Sequence, residues 1–308
     1  MKPLYLSSYE HGELKEKVER LHCILESCEL CPRKCGVNRL KGEKGYCRSG
    51  KDLIVSSFNP HFGEEEPLVG TGGSGTIFLT NCNLLCVYCQ NYEISHLGYG
   101  RPASEEKMAD YMIHLQRKGC HNINFVTPTH FTPQLTRSIE IAIPKGLHLP
   151  IVWNCGGYEN VETIRLLEGI VDIYMPDIKY GSAESARKYS NAPDYFECCR
   201  EAVKEMHRQV GDLVVEDGIA MRGLLIRHLV LPNDVAGSRE VLKFIAEEIS
   251  KNTYVNIMDQ YRPIYRAYDY KELARPPTFR EYKAVVDMAK ELGLQRGETF
   301  RHTFAFEL

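Results

Sequence analysis

Short, β-prone apolar runs recur over 76–80, 123–127, 151–154, 171–175, 224–230 and 254–258. Between them apolar residues fall at helical spacing, which predicts helices over about 104–118, 132–145, 161–168, 195–209 and 238–250, and another near 278–292. Six strand–helix alternations with short apolar strands predict an α/β fold, a parallel sheet with helices outside it. A closed or partial barrel and an open doubly wound sheet share this pattern, and both place chemistry at the C-terminal strand ends. Residues 1 to about 22 read as an amphipathic helical lead-in, with Leu14, Val18 and Leu21 on one face. Over 23–50 the periodicity stops: cysteines, basic residues and Gly36, Gly42 and Gly45 replace it, leaving too few apolar residues for a core. A segment of that kind needs a staple, and a metal is the expected one. The expected division is therefore 1–69, a helix with a Cys-rich metal-binding module, and 70–308, the main domain.

Composition changes this picture in two places. The 308 residues carry 38 Lys+Arg against 41 Asp+Glu, a formal charge of −3, which excludes a generally basic nucleic-acid binder. Twelve cysteines are many for such a chain. The first residues show no apolar leader, and no stretch approaches a membrane span, so a cytoplasmic location without membrane association is expected. Thiols stay reduced there, and clustered cysteines read as metal ligands instead of bridges.

Two clusters stand out. Cys82-Asn-Leu-Leu-Cys86-Val-Tyr-Cys89 follows the first main-domain strand directly. Three thiolates at that spacing can wrap one face of an iron–sulfur cubane and leave the fourth iron open, where such clusters otherwise take four cysteines. Cys28, Cys31, Cys35 and Cys47 form a second set, whose four thiols saturate either a tetrahedral zinc or a cubane. Cys23, Cys120, Cys198 and Cys199 fit no ligand spacing, and Cys155 reads first as a small buried hydrophobe. The run Glu64-Glu-Glu66 reads as a solvated charge run, with a pocket role for His61 or Glu65 as the alternative. Gly72-Gly-Ser-Gly75 precedes a strand instead of opening a helix, so it is a poor phosphate loop.

The motif around Cys82, Cys86, Tyr88 and Cys89, with a strand before it, resembles the radical S-adenosylmethionine (radical SAM) superfamily. The stretch from Thr76 to Asn91 more narrowly resembles proteins related to pyruvate formate-lyase activating enzyme. The resemblance implies a partial (β/α)6 TIM-like barrel holding a 4Fe–4S cluster, whose open iron chelates S-adenosylmethionine. One electron then cleaves the sulfonium, and a 5′-deoxyadenosyl radical abstracts hydrogen from a small molecule or protein side chain. It also implies an oxidoreductase-like enzyme served by an electron donor of flavodoxin or ferredoxin type. Asn91 matches an asparagine that contacts the cofactor in the activating enzymes, and Asp177-Ile-Lys179 matches their Asp-x-Lys motif. Arg227 is a candidate partner for the methionine carboxylate; an ordinary strand-end ion pair is its other reading. Where members carry Gly-Gly-Glu-Pro, this chain reads Thr127-Pro-Thr-His130, so Thr127, Thr129 and nearby carbonyls are the remaining acceptors for the amino group, with Asn154 a further contact.

Three functions compete on this sequence. One is a radical SAM enzyme of undetermined substrate. Another is an activase that takes hydrogen from a glycine of a partner enzyme, though the extra cysteines here precede the radical motif instead of following it. The third is a zinc or iron–sulfur binding or electron-transfer protein without radical catalysis.

Overall fold

The structure, a computed structural model, describes residues 1–297. Residues 298–308, the end of the expected main domain, lie outside the described residues. Two helices lead in, α1 (Leu4–Glu10) and α2 (Glu13–Cys23), separated at Gly12, whose φ of 80° only glycine adopts freely. The irregular Cys-rich segment follows, and β1 (Leu53–His61) then runs antiparallel to β2 (Ser74–Leu79), with the short helix α3 (Glu66–Val69) between them. The cysteine loop leads into α4 (Tyr92–Ser95), the edge strand β3 (Arg101–Ala103) and α5 (Glu105–Arg117).

From there strands and helices alternate: β4 (Ile123–Val126), α6 (Thr132–Ala142), β5 (Ile151–Cys155), α7 (Val161–Leu166) and β6 (Ile173–Pro176). Next come α8 (Ala183–Ser190), α9 (Tyr195–Val210), the hairpin strand β7 (Val214–Glu216), β8 (Ile219–Leu229), α10 (Ser238–Phe244), β9 (Tyr254–Met258) and α11 (Phe279–Glu291). A π turn over Ile245–Ile249 extends α10, as the helical pattern to residue 250 requires. α11 opens with a capping box between Thr278 and Glu281.

β2, β4, β5, β6, β8 and β9 pair in parallel in that order, one strand for each predicted apolar run. The result is a partial (β/α)6 barrel with β1 and β3 added beside β2. Alternation along each strand divides the core in two. Outward residues such as Trp153, Tyr174 and Ile226 join the helices in one large cluster, which also takes Tyr5, Leu14 and Val18 of the leading helices. Inward residues Val152, Ile173, Met175, Leu225 and Tyr254 form a second cluster, into which α3 inserts Leu68. Leu21, Leu25, Cys28 and Leu30 make a third, small cluster at the Cys-rich segment. No helix among the described residues is long and apolar enough to cross a membrane.

Candidate functional site

The barrel lumen changes character with height. Two residues beyond the inward Val152, Met175, Leu225 and Tyr254 stand Asn154, Asp177, Arg227 and Asn256, so the same period-2 pattern that fills the bottom with apolar groups lines the mouth with polar ones. Arg227 is the hub. Its Nε donates to Asp177 Oδ1 at 2.7 Å and its Nη2 to Asn154 Oδ1 at 2.8 Å. Its Nη1 lies 3.6 Å from Glu64 Oε2 and 3.8 Å from Glu65 Oε1, and Asn256 donates to the same Glu65 oxygen at 3.1 Å. Lys179 Nζ completes the network on Asp177 Oδ2 at 2.6 Å.

The electrostatics follow from these contacts. Burial works to raise the Asp177 pKa, but the Arg227 and Lys179 cations outweigh it and hold the carboxyl at about 2. Glu64 goes the other way: burial pushes it up to about 7 against the pull of Arg227, with Glu65 and Asp177 adding to the rise. Glu64 and Glu65 therefore do not form a solvated face, whereas Glu66 is exposed. Glu65 is 5% exposed, with Oε2 buried and unpartnered among the described residues.

Just past β2 the chain turns through Asn81 and Leu85, both at positive φ (66° and 55°), in the segment that carries Cys82, Cys86 and Cys89, whose thiols lie near enough to act on one another. Burial pushes all three thiols up; Cys82 is raised further by Cys86, Cys86 by Cys89 and Cys89 by Cys82. The Lys179 ammonium pulls all three down, which ties the lysine of the mouth to the thiols. Each sulfur has a polar neighbour: the Leu84 N–H at 3.3 Å from Cys82, the Ser190 hydroxyl at 2.9 Å from Cys86, and the Ser95 hydroxyl at 3.1 Å from Cys89. Behind them the buried Tyr88 stands edge-on to Tyr180 and Tyr261.

The other expected residues are placed as follows. Thr127 holds φ 60°, a strained value for a β-branched residue, and its N–H donates to the Asn154 carbonyl at 2.8 Å. Asn91 begins α4, exposed, with its backbone beside Cys89 and its side chain capping nothing. Cys155 is 2% exposed in the main core. The residues that sequence reasoning missed are Ser190, Ser95 and Tyr195. The Tyr195 hydroxyl accepts from Lys179 N at 2.8 Å and faces the carbonyls of Gly156 and Asp177 at 2.9 and 2.8 Å, which fixes the turn carrying Asp177 and Lys179. Gly157 beside it has no room for a side chain: a Cβ would lie 2.5 Å from the Asp177 carbonyl.

Cys28, Cys31, Cys35 and Cys47 line a separate cavity with Arg39 and His130. The chain passes tightly over Cys35, since a Cβ at Gly45 would sit 2.6 Å from its sulfur. Arg33, in the same segment, stacks on Tyr46 at 3.8 Å. It donates to the carbonyls of Asn83 and Ser190, both at 3.0 Å, so one guanidinium joins this segment to the loop of the other thiol set. Among the described residues no three His, Cys, Asp or Glu side chains converge on a point that would hold a single ion.

Three thiols on one loop, each with a polar neighbour, and a charged pocket beside them fit a 4Fe–4S cluster with one iron left free of protein. Comparison with protein-family profiles agrees. The radical SAM superfamily profile matches residues 76–223, which includes the three cysteines, Asp177 and Lys179. An uncharacterized protein of Methanocaldococcus jannaschii, MJ0674, is 33% identical over 286 residues, covering 90% of this chain and 78% of that protein. A second from the same organism, MJ0808, is 24% identical over 289 residues, covering 88% and 78%. A solved radical SAM methyltransferase from Sphaerobacter thermophilus aligns with TM-score 0.48 and 13% identity, over 72% of this chain and 65% of that one. With its three-cysteine loop seated on the first strand of a six-stranded parallel barrel, and with that profile and relative in hand, this chain belongs to the radical SAM superfamily.

Proposed function

We propose that this protein is a radical SAM enzyme that binds a 4Fe–4S cluster through Cys82, Cys86 and Cys89 and cleaves S-adenosylmethionine reductively, to abstract hydrogen from a substrate not yet identified. The observation that carries the reading is the closeness of Lys179 to the thiol loop. Its ammonium is held on Asp177 at 2.6 Å, and a Cβ at Gly156 would meet Leu84 of that loop at 2.9 Å and Lys179 Cε at 3.7 Å. Cluster side and polar mouth are thus one site.

When bound, the cluster and S-adenosylmethionine supply the one-electron chemistry and the 5′-deoxyadenosyl radical. The chain binds, orients and shields. Cys82, Cys86 and Cys89 leave the remaining ligand position to the cofactor. Asn154, Asp177, Lys179 and Arg227 form a charged wall for its polar groups, with Thr127 and Asn91 at the rim. Tyr195 holds the Asp177–Lys179 turn in place. Tyr88, packed between Tyr180 and Tyr261, keeps water from the back of the thiol loop. A low-potential donor of flavodoxin or ferredoxin type is the expected partner, and Cys28, Cys31, Cys35 and Cys47 are proposed as a second metal centre, zinc or iron–sulfur.

An activase acting on a partner enzyme's glycine is the second reading. The position of the extra thiol set before the radical motif, and not after it, weighs against it. The test is anaerobic reconstitution with iron and sulfide, then incubation with S-adenosylmethionine and dithionite. Formation of 5′-deoxyadenosine and methionine in equal amounts is expected. A fully reconstituted protein that forms neither would leave the electron-transfer reading in its place.

A further inference from the structure

Two guanidiniums, Arg227 at the barrel mouth with its side chain 18% exposed and the buried Arg39, are treated differently. Arg227 faces three carboxylates. Arg39, 1% exposed, pairs with none among the described residues. Its Nε and Nη2 donate to the Gly50 carbonyl at 2.9 and 2.5 Å, and its Nη1 donates to the His130 carbonyl at 2.6 Å. The same Nη1 is 4.0 Å from Cys28 Sγ, at the edge of the four-thiol cavity. Carbonyl dipoles satisfy its N–H groups but leave its full charge uncompensated, and a buried charge without a counter-charge is costly. Four neutral thiols do not supply one.

His130 forms the wall beside Arg39. It is 1% exposed and lines the same cavity. Its Nε2 lies 2.8 Å from the Thr80 carbonyl and so carries the proton, which makes Nδ1 a lone pair; that atom is buried with no partner among the described residues. A cavity wall holding an unanswered cation is incomplete without an anionic occupant. The spacing of the thiols tells which kind. A single zinc draws its sulfurs to about 2.3 Å from one point, whereas the ligands of a cubane sit on four separate irons, farther apart. Among the described residues no three such side chains close on one point. The same holds of Cys82, Cys86 and Cys89, the cluster motif of the superfamily.

We propose that Cys28, Cys31, Cys35 and Cys47 hold a second 4Fe–4S cluster, one thiolate on each iron, and that Arg39 is its buried counter-charge. This rests on the reading of that set as a metal centre. Four thiolates on a core of charge +2 make a dianion, which Arg39 neutralises in part. The guanidinium favours the reduced cluster still more, because reduction adds one further negative charge.

The full-length Cys82/Cys86/Cys89→Ala variant, reconstituted anaerobically with iron and sulfide, isolates this site. Roughly four iron and four sulfide per chain are expected to remain. Zinc alone would overturn the cluster while leaving a metal centre, and a chain free of both metals would overturn the centre itself. If that variant does not fold, the wild type decides: about eight iron per chain supports the proposal, and about four overturns it. Within the isolated site, Arg39→Met should shift the reduction potential, measured by dithionite titration, to more negative values, and Arg39→Lys should restore it. An unchanged potential in Arg39→Met would remove Arg39 as the counter-charge. Should Arg39→Met not fold, Arg39→Lys carries the test: full iron at the wild-type potential supports the role, and a folded, iron-free chain overturns it.

Discussion

The two thiol sets of this protein are held by different means. Cys82, Cys86 and Cys89 sit on a loop seated between strands of a well-packed barrel. Their sulfurs have Leu84, Ser190 and Ser95 as polar neighbours, and the lysine beside them has its own carboxylate in Asp177. Cys28, Cys31, Cys35 and Cys47 sit on irregular chain whose own apolar support is little more than Leu21, Leu25 and Leu30. The guanidiniums nearby, Arg33 and Arg39, donate to carbonyls. The lesson is about where stability comes from. The barrel holds its thiols with a core of its own; the N-terminal segment, with the metal centre proposed for it, would depend on what it binds.

The largest expected difference between the two follows directly. Metal removal by a strong chelator should open residues 26–52 to protease while the barrel helices stay protected. Likewise Cys31→Ala should destabilise the N-terminal segment and Cys86→Ala should leave the thermal midpoint within a few degrees. Limited proteolysis followed by mass spectrometry reads the first pair, and calorimetry the second. Equal protection of both regions after chelation would erase the comparison.

The reasons for this asymmetry were only partly legible in the sequence. The six apolar runs marked the six parallel strands because short, fully buried strands are apolar on both faces. Cysteine spacing marked both thiol sets, since ligand spacing is local. Asp177, Lys179, Asn154 and Arg227 were legible as strand-end residues, and the structure brings the four into one network. The contributions of Ser190, Tyr195 and Arg39 were not: each acts across more than ten residues of chain on a partner that only the fold brings near. Glu64 and Glu65 misled for a similar reason. Adjacent carboxylates read as solvated until Arg227, more than 160 positions away, is known to face them. Helix α8 was also missed; its polar sequence carries few buried residues, and Ser182 caps its start.

A smaller effect sharpens the barrel side of the comparison. Lys179→Ala should weaken S-adenosylmethionine binding roughly 10- to 100-fold, the worth of one charge-assisted hydrogen bond, with iron content unchanged. Equilibrium binding on the reconstituted protein measures it, and equal affinity would remove Lys179 from the pocket. Smaller still is the pH effect of Glu64. Its folded pKa of about 7 lies above the ordinary 4.5, so the folded chain holds this proton more tightly than the unfolded one. Stability is therefore lost as pH climbs from about 4.5 to about 7 and ionisation is forced on a buried group. Glu64→Gln should match wild type at the acid end of that window and exceed it by on the order of 1–3 kcal/mol at the neutral end. Denaturant unfolding at the two pH values checks the sign, and parallel profiles would show that Glu64 ionises freely.

The most direct test of the account is one assay on two proteins, with 5′-deoxyadenosine measured after S-adenosylmethionine and dithionite are added to the anaerobically reconstituted chain. The wild type should form it together with methionine, and the Cys82/Cys86/Cys89→Ala variant should form none although its N-terminal thiols are intact. Product from that variant, or its absence from a wild-type chain carrying its full iron, would contradict the assignment of radical chemistry to the barrel mouth.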